Sequence, residues 1–264
     1  MAITSGPRRA AAGSDASTGQ AAGLPVPAGA GLFTRAALEY AAHRPGQALV
    51  ILQAGCITAG GDLDLATLRV RGHELALTRI DDDNVITRAA VAGRGDPEPV
   101  VLGELRTVPL RPRSADIVHC SLLLDRISHA ELVLGRLVDA LRPGGLLLLR
   151  TADRETAAGL LDRLLPGPLR AAAWHRLRPG EPGPYPAVYE QLTSPRGIQL
   201  FSTRHGLVIG QRETCSRLDG RRRHPVIRGA RGLIAAVSRG RLSAAHDELR
   251  YVIRKPEDRF ARVL

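Results

Sequence analysis

The chain has 264 residues, of which 44% are hydrophobic and 24% are charged, so its composition is that of a globular protein rather than a disordered or collagen-like one. No stretch approaches the ~18 consecutive apolar residues that a membrane-spanning helix needs, and the first residues lack the apolar region of a signal peptide. Three scattered cysteines, Cys56, Cys120 and Cys215, do not suit a disulfide framework. They predict a reducing, cytoplasmic location.

The formal net charge of +11 is concentrated in one part of the chain. Residues 204–241 contain ten arginines and two acidic residues, and Lys255 is the single lysine of the chain. A basic segment favours an anionic partner such as nucleic acid. However, an aromatic content of 3% leaves few side chains that could stack on bases, so a nucleic-acid partner is not favoured.

The chain begins with residues 1–30, which are rich in Ala, Gly, Ser and Pro and predict a disordered tail, because they cannot bury enough apolar surface to offset their ordering entropy. One domain is predicted over residues 31–264. Its first helix starts at Leu32 and ends at Pro45-Gly46. Further helices are predicted at 63–72, 84–94 and 128–145, and strands at 48–54, 73–80, 99–105, 115–124 and 146–151.

The last third of the chain has a different pattern. A cap region over residues 155–206 is predicted to contain three helices (155–166, 169–177 and 194–206) and a Pro/Gly-rich loop at 178–190. Two alternating segments, 207–214 and 248–256, predict outer strands. The fold class is therefore α/β, with a doubly wound, mostly parallel sheet and helices on both faces.

The candidate site lies where the predicted strands end, because ligands of open parallel sheets bind beyond the carboxyl ends of the strands. Gly55 follows the first strand, Asp81 ends the second, Glu104 the third and Cys120 the fourth. A glycine-containing turn and an acid that can accept both ribose hydroxyls form a nucleoside-binding pattern. Each residue also has an ordinary structural role, as a turn residue, a helix cap or a solvated acid. The run Asp81-Asp82-Asp83 could instead hold a metal, but no histidine or further acid stands at ligand spacing, so no metal site is predicted.

The sequence resembles the class I S-adenosylmethionine-dependent methyltransferases over about residues 32–152. The resemblance is carried by the segments ILQAGCITAG (51–60), RIDDDN (79–84), LGELRTVPL (102–110), SADIVHCSLLLDRI (114–127) and LVDALRPGGLLLLR (137–150). It implies a Rossmann-like, seven-strand sheet whose last strand is antiparallel. It also implies S-adenosyl-L-methionine as the cofactor.

The resemblance implies that Gly55 and Asp81 contact the cofactor, together with Glu104, where the family more often has aspartate, and the neighbouring residues Cys56, Asp82, Leu105 and Cys120. Gln53 stands where the family usually has an acid, and it is expected to contact the cofactor by a hydrogen bond to the methionine amine, without the charge of an acid. Ile57 and Ala59 replace two glycines of the family's turn. An isoleucine there adds a branched side chain and resists positive φ.

No catalytic residue follows from the sequence, because methyl transfer requires alignment above all and a base only when the nucleophile holds its proton. His129 is a weak candidate base, and Tyr185 and Tyr189, like His175, lie in the cap that the resemblance assigns to substrate selection. Packing of the loop under the cap is the alternative for the tyrosines. His119, on a buried strand, is expected to be a core histidine.

The favoured function is methyl transfer to a small-molecule substrate. A methyltransferase-fold binding or scaffold protein without catalysis is the alternative, supported by Gln53, Ile57 and Ala59. An RNA methyltransferase is less favoured, and an NAD-binding enzyme is disfavoured because no GxGxxG motif is present.

Overall fold

The computed structural model describes residues 29–55, 62–93, 99–177, 183–216, 229, 232–234, 236–238 and 242–257. Residues 1–28 of the predicted tail, most of the turn that contains Cys56, Ile57 and Ala59, residues 178–182 of the predicted loop and about half of the basic segment 204–241 therefore lie outside the described residues. None of the helices in the described part of the chain has the length and apolar character of a membrane span.

Seven strands form one sheet in the order β3-β2-β1-β4-β5-β7-β6. Neighbours from β3 to β5 are parallel, whereas β7 pairs antiparallel with both β5 and β6. The strands are β1 (Leu49–Ala54), β2 (Leu75–Asp82), β3 (Val100–Gly103), β4 (Ala115–Ser121), β5 (Leu141–Ala152), β6 (Val208–Cys215) and β7 (Glu248–Arg254). The predicted fold class, including the antiparallel last strand, is confirmed.

The helices that cover the sheet begin at residues suited to capping. Asp64, Asn84, Thr156 and Ser194 each accept a backbone N–H of the first helical turn. The helices are α1 (Leu32–Ala42), α2 (Leu65–Val70), α3 (Val85–Ala92), α4 (Ala130–Ala140), α5 (Ala157–Leu164), α6 (Gly167–Leu177) and α7 (Pro195–Arg204), with a 3-10 turn at Gln191–Thr193.

The core has two parts, one on each face of the sheet. Alternating residues of β5 divide between them: Leu147 and Leu149 pack with α4 and α7, whereas Leu146 and Leu148 pack with α1 and α2. Burial on both faces explains why the central strands appear in the sequence as continuous apolar runs.

The largest differences from the predicted boundaries are at β2 and β5. β2 continues through Asp81 and Asp82, two residues beyond the predicted end at residue 80, and Pro143-Gly144-Gly145, predicted to end a helix, lies within β5, which already starts at Leu141. The register between β4 and β5 shifts at this point, so the Pro-Gly-Gly residues form an irregularity inside the strand. A Cβ on Gly145 would lie 2.9 Å from the carbonyl oxygen of Asp116, which is why glycine is needed here.

Asp116, near the start of β4, is a buried carboxylate that is only 2% exposed. It forms hydrogen bonds to residues from several other parts of the fold. Its carboxylate accepts hydrogen bonds from the Tyr40 hydroxyl at 3.3 Å, the Arg44 guanidinium at 3.0 Å, the Val50 backbone N–H at 3.0 Å and the Arg142 guanidinium at 2.7 Å. Burial, together with this carboxylate, raises the pKa of Tyr40 to about 12. Asp116 thus links α1, β1 and β5 to the centre of the sheet.

We expect Asp116→Asn to lower the free energy of unfolding by about 1–3 kcal/mol, because the amide no longer neutralises the two arginines and cannot accept all four bonds. Urea unfolding at neutral pH measures this difference. Asp139→Asn, an exposed site on α4, is the matched control and should change stability by less than about 0.5 kcal/mol. Equal effects of the two variants would contradict the role assigned to Asp116.

His119, on β4, is fully buried, and its ring meets the ring of Phe33 edge-on at 5.4 Å between centroids. Burial lowers the pKa of His119 to about 3, because the interior disfavours the imidazolium, and the charge of Arg150 acts in the same direction. The expectation of a core histidine is consistent with this position.

A histidine that stays neutral when folded but is protonated when unfolded makes stability fall with decreasing pH, starting near its unfolded pKa of about 6.5. Between pH 7 and pH 5, His119 should therefore cost about 2 kcal/mol of unfolding free energy. His119→Leu should remove this part of the pH dependence in urea titrations, whereas His175→Gln, at an exposed site on α6, should retain it. An unchanged pH slope in His119→Leu would contradict the assignment.

Candidate functional site at the carboxyl ends of β1, β2 and β4

Gly55 directly follows β1 and lies against the end of β4. Its N–H donates to the carbonyl of Ile80 at 3.1 Å, and its φ of +75° lies in the left-handed region that favours glycine. A Cβ at this position would come within 2.6 Å of the Ser121 carbonyl oxygen and 2.7 Å of the Leu123 Cβ. The backbone therefore turns here in a space that only glycine fits.

Asp81, at the end of β2, has no exposed surface. Its Oδ1 accepts the backbone N–H of Asp82 at 2.9 Å and also accepts from the Arg126 guanidinium. Its Oδ2 accepts no hydrogen bond from any described residue. Burial raises the pKa of Asp81 to about 7, and the charge of Arg126 opposes this rise.

Arg126 lies in the segment after β4, and its side chain is 2% exposed. Besides Asp81, its guanidinium is 3.6 Å from the Asp82 carboxylate, and it lies over the Tyr185 ring at 4.3 Å from the centroid. Burial lowers the pKa of Arg126, but the neighbouring carboxylates Asp81 and Asp82 more than offset this and raise it overall. The guanidinium thus stays charged between an acid and an aromatic ring.

The other polar residues predicted to contact a cofactor are also engaged by arginines. Gln53, buried on β1, accepts from the Nε of Arg79 at 3.1 Å. Glu104 is exposed after β3 and forms two hydrogen bonds of 2.8 Å with Arg106, which lower its pKa to about 2. Each of the three acceptor side chains (Gln53, Asp81 and Glu104) therefore holds an arginine of the same chain.

Of the remaining residues predicted to contact a cofactor, one lies at the site and two lie in the hydrophobic core. Asp82 lies beside Asp81, and its Oδ2 accepts from the Asn84 amide at 2.5 Å. Leu105 and Cys120 are buried in the hydrophobic core, at 4% and 0% exposure. The carboxyl ends of β1, β2 and β4 thus bring Gly55, Asp81 and Asp82 together, while Leu105 and Cys120 support them from the core.

The segment 183–190 crosses the end of β4. The carbonyl of Asp125 accepts the N–H groups of Val188 at 3.0 Å and Tyr189 at 3.1 Å. The Glu190 carboxylate accepts the backbone N–H groups of His129 at 2.6 Å and Ala130 at 2.9 Å, so it caps α4. These bonds fix the segment over the strand ends, with Tyr185 facing Arg126.

The candidate catalytic residues, His129 and the residues of the cap, differ in position. Tyr185 lies at the site, also edge-on to Trp174 with 6.2 Å between ring centroids. Tyr189 is buried, and its hydroxyl donates to Asp162 of α5 at 2.9 Å. His129 is exposed in a left-handed conformation just before α4, and His175 is exposed on α6. Among the described residues, no group of three or more His, Cys, Asp or Glu side chains could hold a metal ion.

The sequence analysis did not identify Arg126, whose guanidinium contacts Asp81 and the Tyr185 ring and lies near Asp82. Its place directly after the fourth strand was a usable signal, because residues at strand ends face the crevice. In a chain with one lysine and many arginines, however, arginine alone is a weak marker.

Similar proteins were found at the levels of domain family and fold. No curated protein matches the chain. Among solved structures, it resembles a SAM-dependent methyltransferase from Archaeoglobus fulgidus (14% identity, 84% of this chain and 92% of the other covered, TM-score 0.46). It also resembles a putative sarcosine dimethylglycine methyltransferase from Galdieria sulphuraria (14% identity, 80% of each chain, TM-score 0.48) and an S-adenosylmethionine-dependent methyltransferase from Mesorhizobium loti (18% identity, 78% and 91%, TM-score 0.44).

A family model described as a methyltransferase domain matches residues 52–149, the part of the chain from β1 to β5. This region contains Gly55, Asp81 and Arg126. The chain is thus similar to a methyltransferase domain over residues 52–149, which is less than half of its length.

Proposed function

We propose that this chain binds S-adenosyl-L-methionine, the cofactor that its similarity to methyltransferases implies, and transfers the methyl group to a small molecule. One observation carries the proposal: Asp81 is buried at the end of β2, and its Oδ2 accepts no hydrogen bond from the described residues. A buried carboxylate oxygen gains considerably from a hydroxyl donor. The ribose of an adenosyl group supplies two such donors.

The residues around Asp81 fit this ligand. Gly55 lets the backbone turn beside Asp81 and pack closely against the residues that follow β4, so the strand ends come together here. Gln53 and Glu104 supply further acceptors on either side. When bound, the cofactor supplies a methyl group on a positively charged sulfur.

The contribution of the chain to transfer is placement and exclusion of water. The segment 183–190 is pinned to Asp125 and to the start of α4, so it covers the end of β4. Tyr185, on this segment, lies against Arg126. The proposal places a small acceptor beside this segment, where Tyr185 and Arg126 meet.

A second candidate is a binding protein that keeps the fold without transferring methyl groups. It is favoured by the arginines that already engage Gln53, Asp81 and Glu104. Under this alternative the arginines permanently occupy the acceptor side chains that a cofactor would use. The chain would then bind partners through another surface.

The proposal also includes a cytoplasmic location. The described cysteines, Cys120 and Cys215, are both free thiols, which agrees with a reducing compartment.

The test is isothermal titration calorimetry of the full chain with S-adenosylhomocysteine, the product form of the cofactor. We expect saturable binding to the wild type and a loss of about tenfold or more in affinity for Asp81→Asn, because the amide cannot accept two hydroxyl donors equally well. Circular dichroism melting shows whether the variant is folded.

Asp83→Asn is the matched control, because Asp83 is adjacent, is 36% exposed and pairs with Arg88 at 2.5 Å on the surface. It should leave the affinity unchanged. Absence of heat with the folded wild type at millimolar ligand would overturn the proposal and favour the binding protein. An unaltered affinity in folded Asp81→Asn would refute the ribose assignment.

A further inference from the structure

We propose that Ser243, His246 and Asp153 form a catalytic site separate from Gly55 and Asp81, in which Ser243 is a nucleophile that cleaves small carboxylic esters. The inference goes beyond the proposed function and does not depend on it. It starts from three side chains that hydrogen-bond in one line, from the residue after β5 to the segment before β7. Nε2 of His246 lies 3.1 Å from Oδ2 of Asp153, and its Nδ1 lies 3.2 Å from Oγ of Ser243.

These hydrogen bonds determine which atom of His246 can act as a base. An ionised carboxylate only accepts hydrogen bonds, so the proton of the neutral ring lies on Nε2, which donates to Asp153. Nδ1 then carries the lone pair and accepts the hydroxyl proton of Ser243. A serine that donates to an imidazole, whose other nitrogen donates to a carboxylate, is the arrangement that activates this weak nucleophile.

Asp153 is suited to orient the ring, because its side chain is only 3% exposed. Its Oδ1 accepts the backbone N–H of Glu155 at 2.8 Å, which fixes the direction of the carboxylate. A buried carboxylate beside His246 also stabilises the imidazolium that forms when the ring takes up a proton.

The short segment that carries Ser243 and His246 is held at both of its ends. The carbonyl of Ser243 accepts the backbone N–H of Ala157, the first residue of α5, at 2.9 Å. The carbonyl of Asp247 accepts the backbone N–H of Asp153, also at 2.9 Å. The backbone thus ties the nucleophile and the base to the acid, and catalytic geometry requires support of this kind.

The nucleophile and the base are within reach of a ligand, unlike the acid. The side chain of His246 is 21% exposed, and Ser243 is partly exposed. Oγ of Ser243 accepts the N–H of Ala245 at 3.2 Å, while its own proton points to His246. The N-terminus of α5 is adjacent, and its partial positive charge favours the negative charge that develops on an ester oxygen under attack.

The proposed reaction has two steps and consumes only the ester and water. Oγ of Ser243 attacks the carbonyl carbon, its proton passes to Nδ1 of His246, and the alcohol leaves with that proton as the ester C–O bond breaks. Water then attacks the acyl-serine and gives a proton to Nδ1. The carboxylic acid is released as this proton returns to Oγ of Ser243.

The test is labelling of the full chain with a fluorophosphonate, which bonds to the oxygen of an activated serine and releases fluoride. Peptide mass spectrometry of the wild type should find the phosphonate on Ser243. Ser243→Ala should remove this label and lower the hydrolysis of p-nitrophenyl acetate by about tenfold or more. His246→Gln should lower labelling and hydrolysis by about tenfold or more, because glutamine can still donate to Asp153 but cannot take up the proton.

Ser114→Ala is the matched control for the serine. Ser114 is also partly exposed, but it precedes β4 at the opposite end of the sheet, where its hydroxyl donates to the Arg111 carbonyl at 2.7 Å. His175→Gln, at an exposed site on α6, is the control for the histidine. Both controls should keep the labelling and the hydrolysis of the wild type, and circular dichroism melting shows which variants are folded.

A folded wild type that carries no label on Ser243 would overturn the inference. Hydrolysis that persists undiminished in folded Ser243→Ala would also overturn it, as would labelling of Ser243 that is unchanged in folded His246→Gln. Mapping of the label on the wild type decides the question by itself if a variant does not fold.

Discussion

A buried carboxylate and a buried guanidinium meet where β2 and β4 end, and the chemistry of the candidate site depends on this pair. Neither Asp81 nor Arg126 has appreciable contact with solvent, so burial disfavours the charge on both, and each charge helps to stabilise the other. The pair also decides which ligand atoms can enter, because one oxygen of Asp81 is saturated and the other is not. A surface pair such as Arg106–Glu104 imposes no comparable constraint, since water can replace either partner.

The sequence predicts the fold well because the signals for the fold are local. The central strands are runs of apolar residues bounded by turns, and the resemblance to a known family supplies the order of the sheet. The errors occur where local and long-range information conflict. Pro143-Gly144-Gly145 is a stop signal by itself, but pairing with β4 continues across it through a shift in register. The predicted end of β2 at residue 80 falls short, because the pairing of β2 with β3 includes Asp81 and Asp82 in the strand.

The candidate site was predicted only in part, and the reason is again the range of the interactions. Gly55 and Asp81 could be placed near each other because both positions follow from the ends of predicted strands. Arg126 is 45 residues from Asp81, and nothing in the sequence pairs these two residues rather than any others. The same holds for Tyr185, which reaches Arg126 from the cap. Pairings between distant side chains depend on the folded geometry, so they become visible only once the sheet and the cap are in place.

The three arginines at the acceptor positions have one energetic consequence in common. A cofactor that needs an acceptor already engaged within the chain binds only to the fraction of molecules in which that contact is broken, and its apparent affinity falls by that fraction. The reduction differs between positions: it is small for exposed Glu104 and large for buried Asp81, where separating the charges is costly. Under the proposed function, Arg126 therefore controls loading more than Arg79 or Arg106 does.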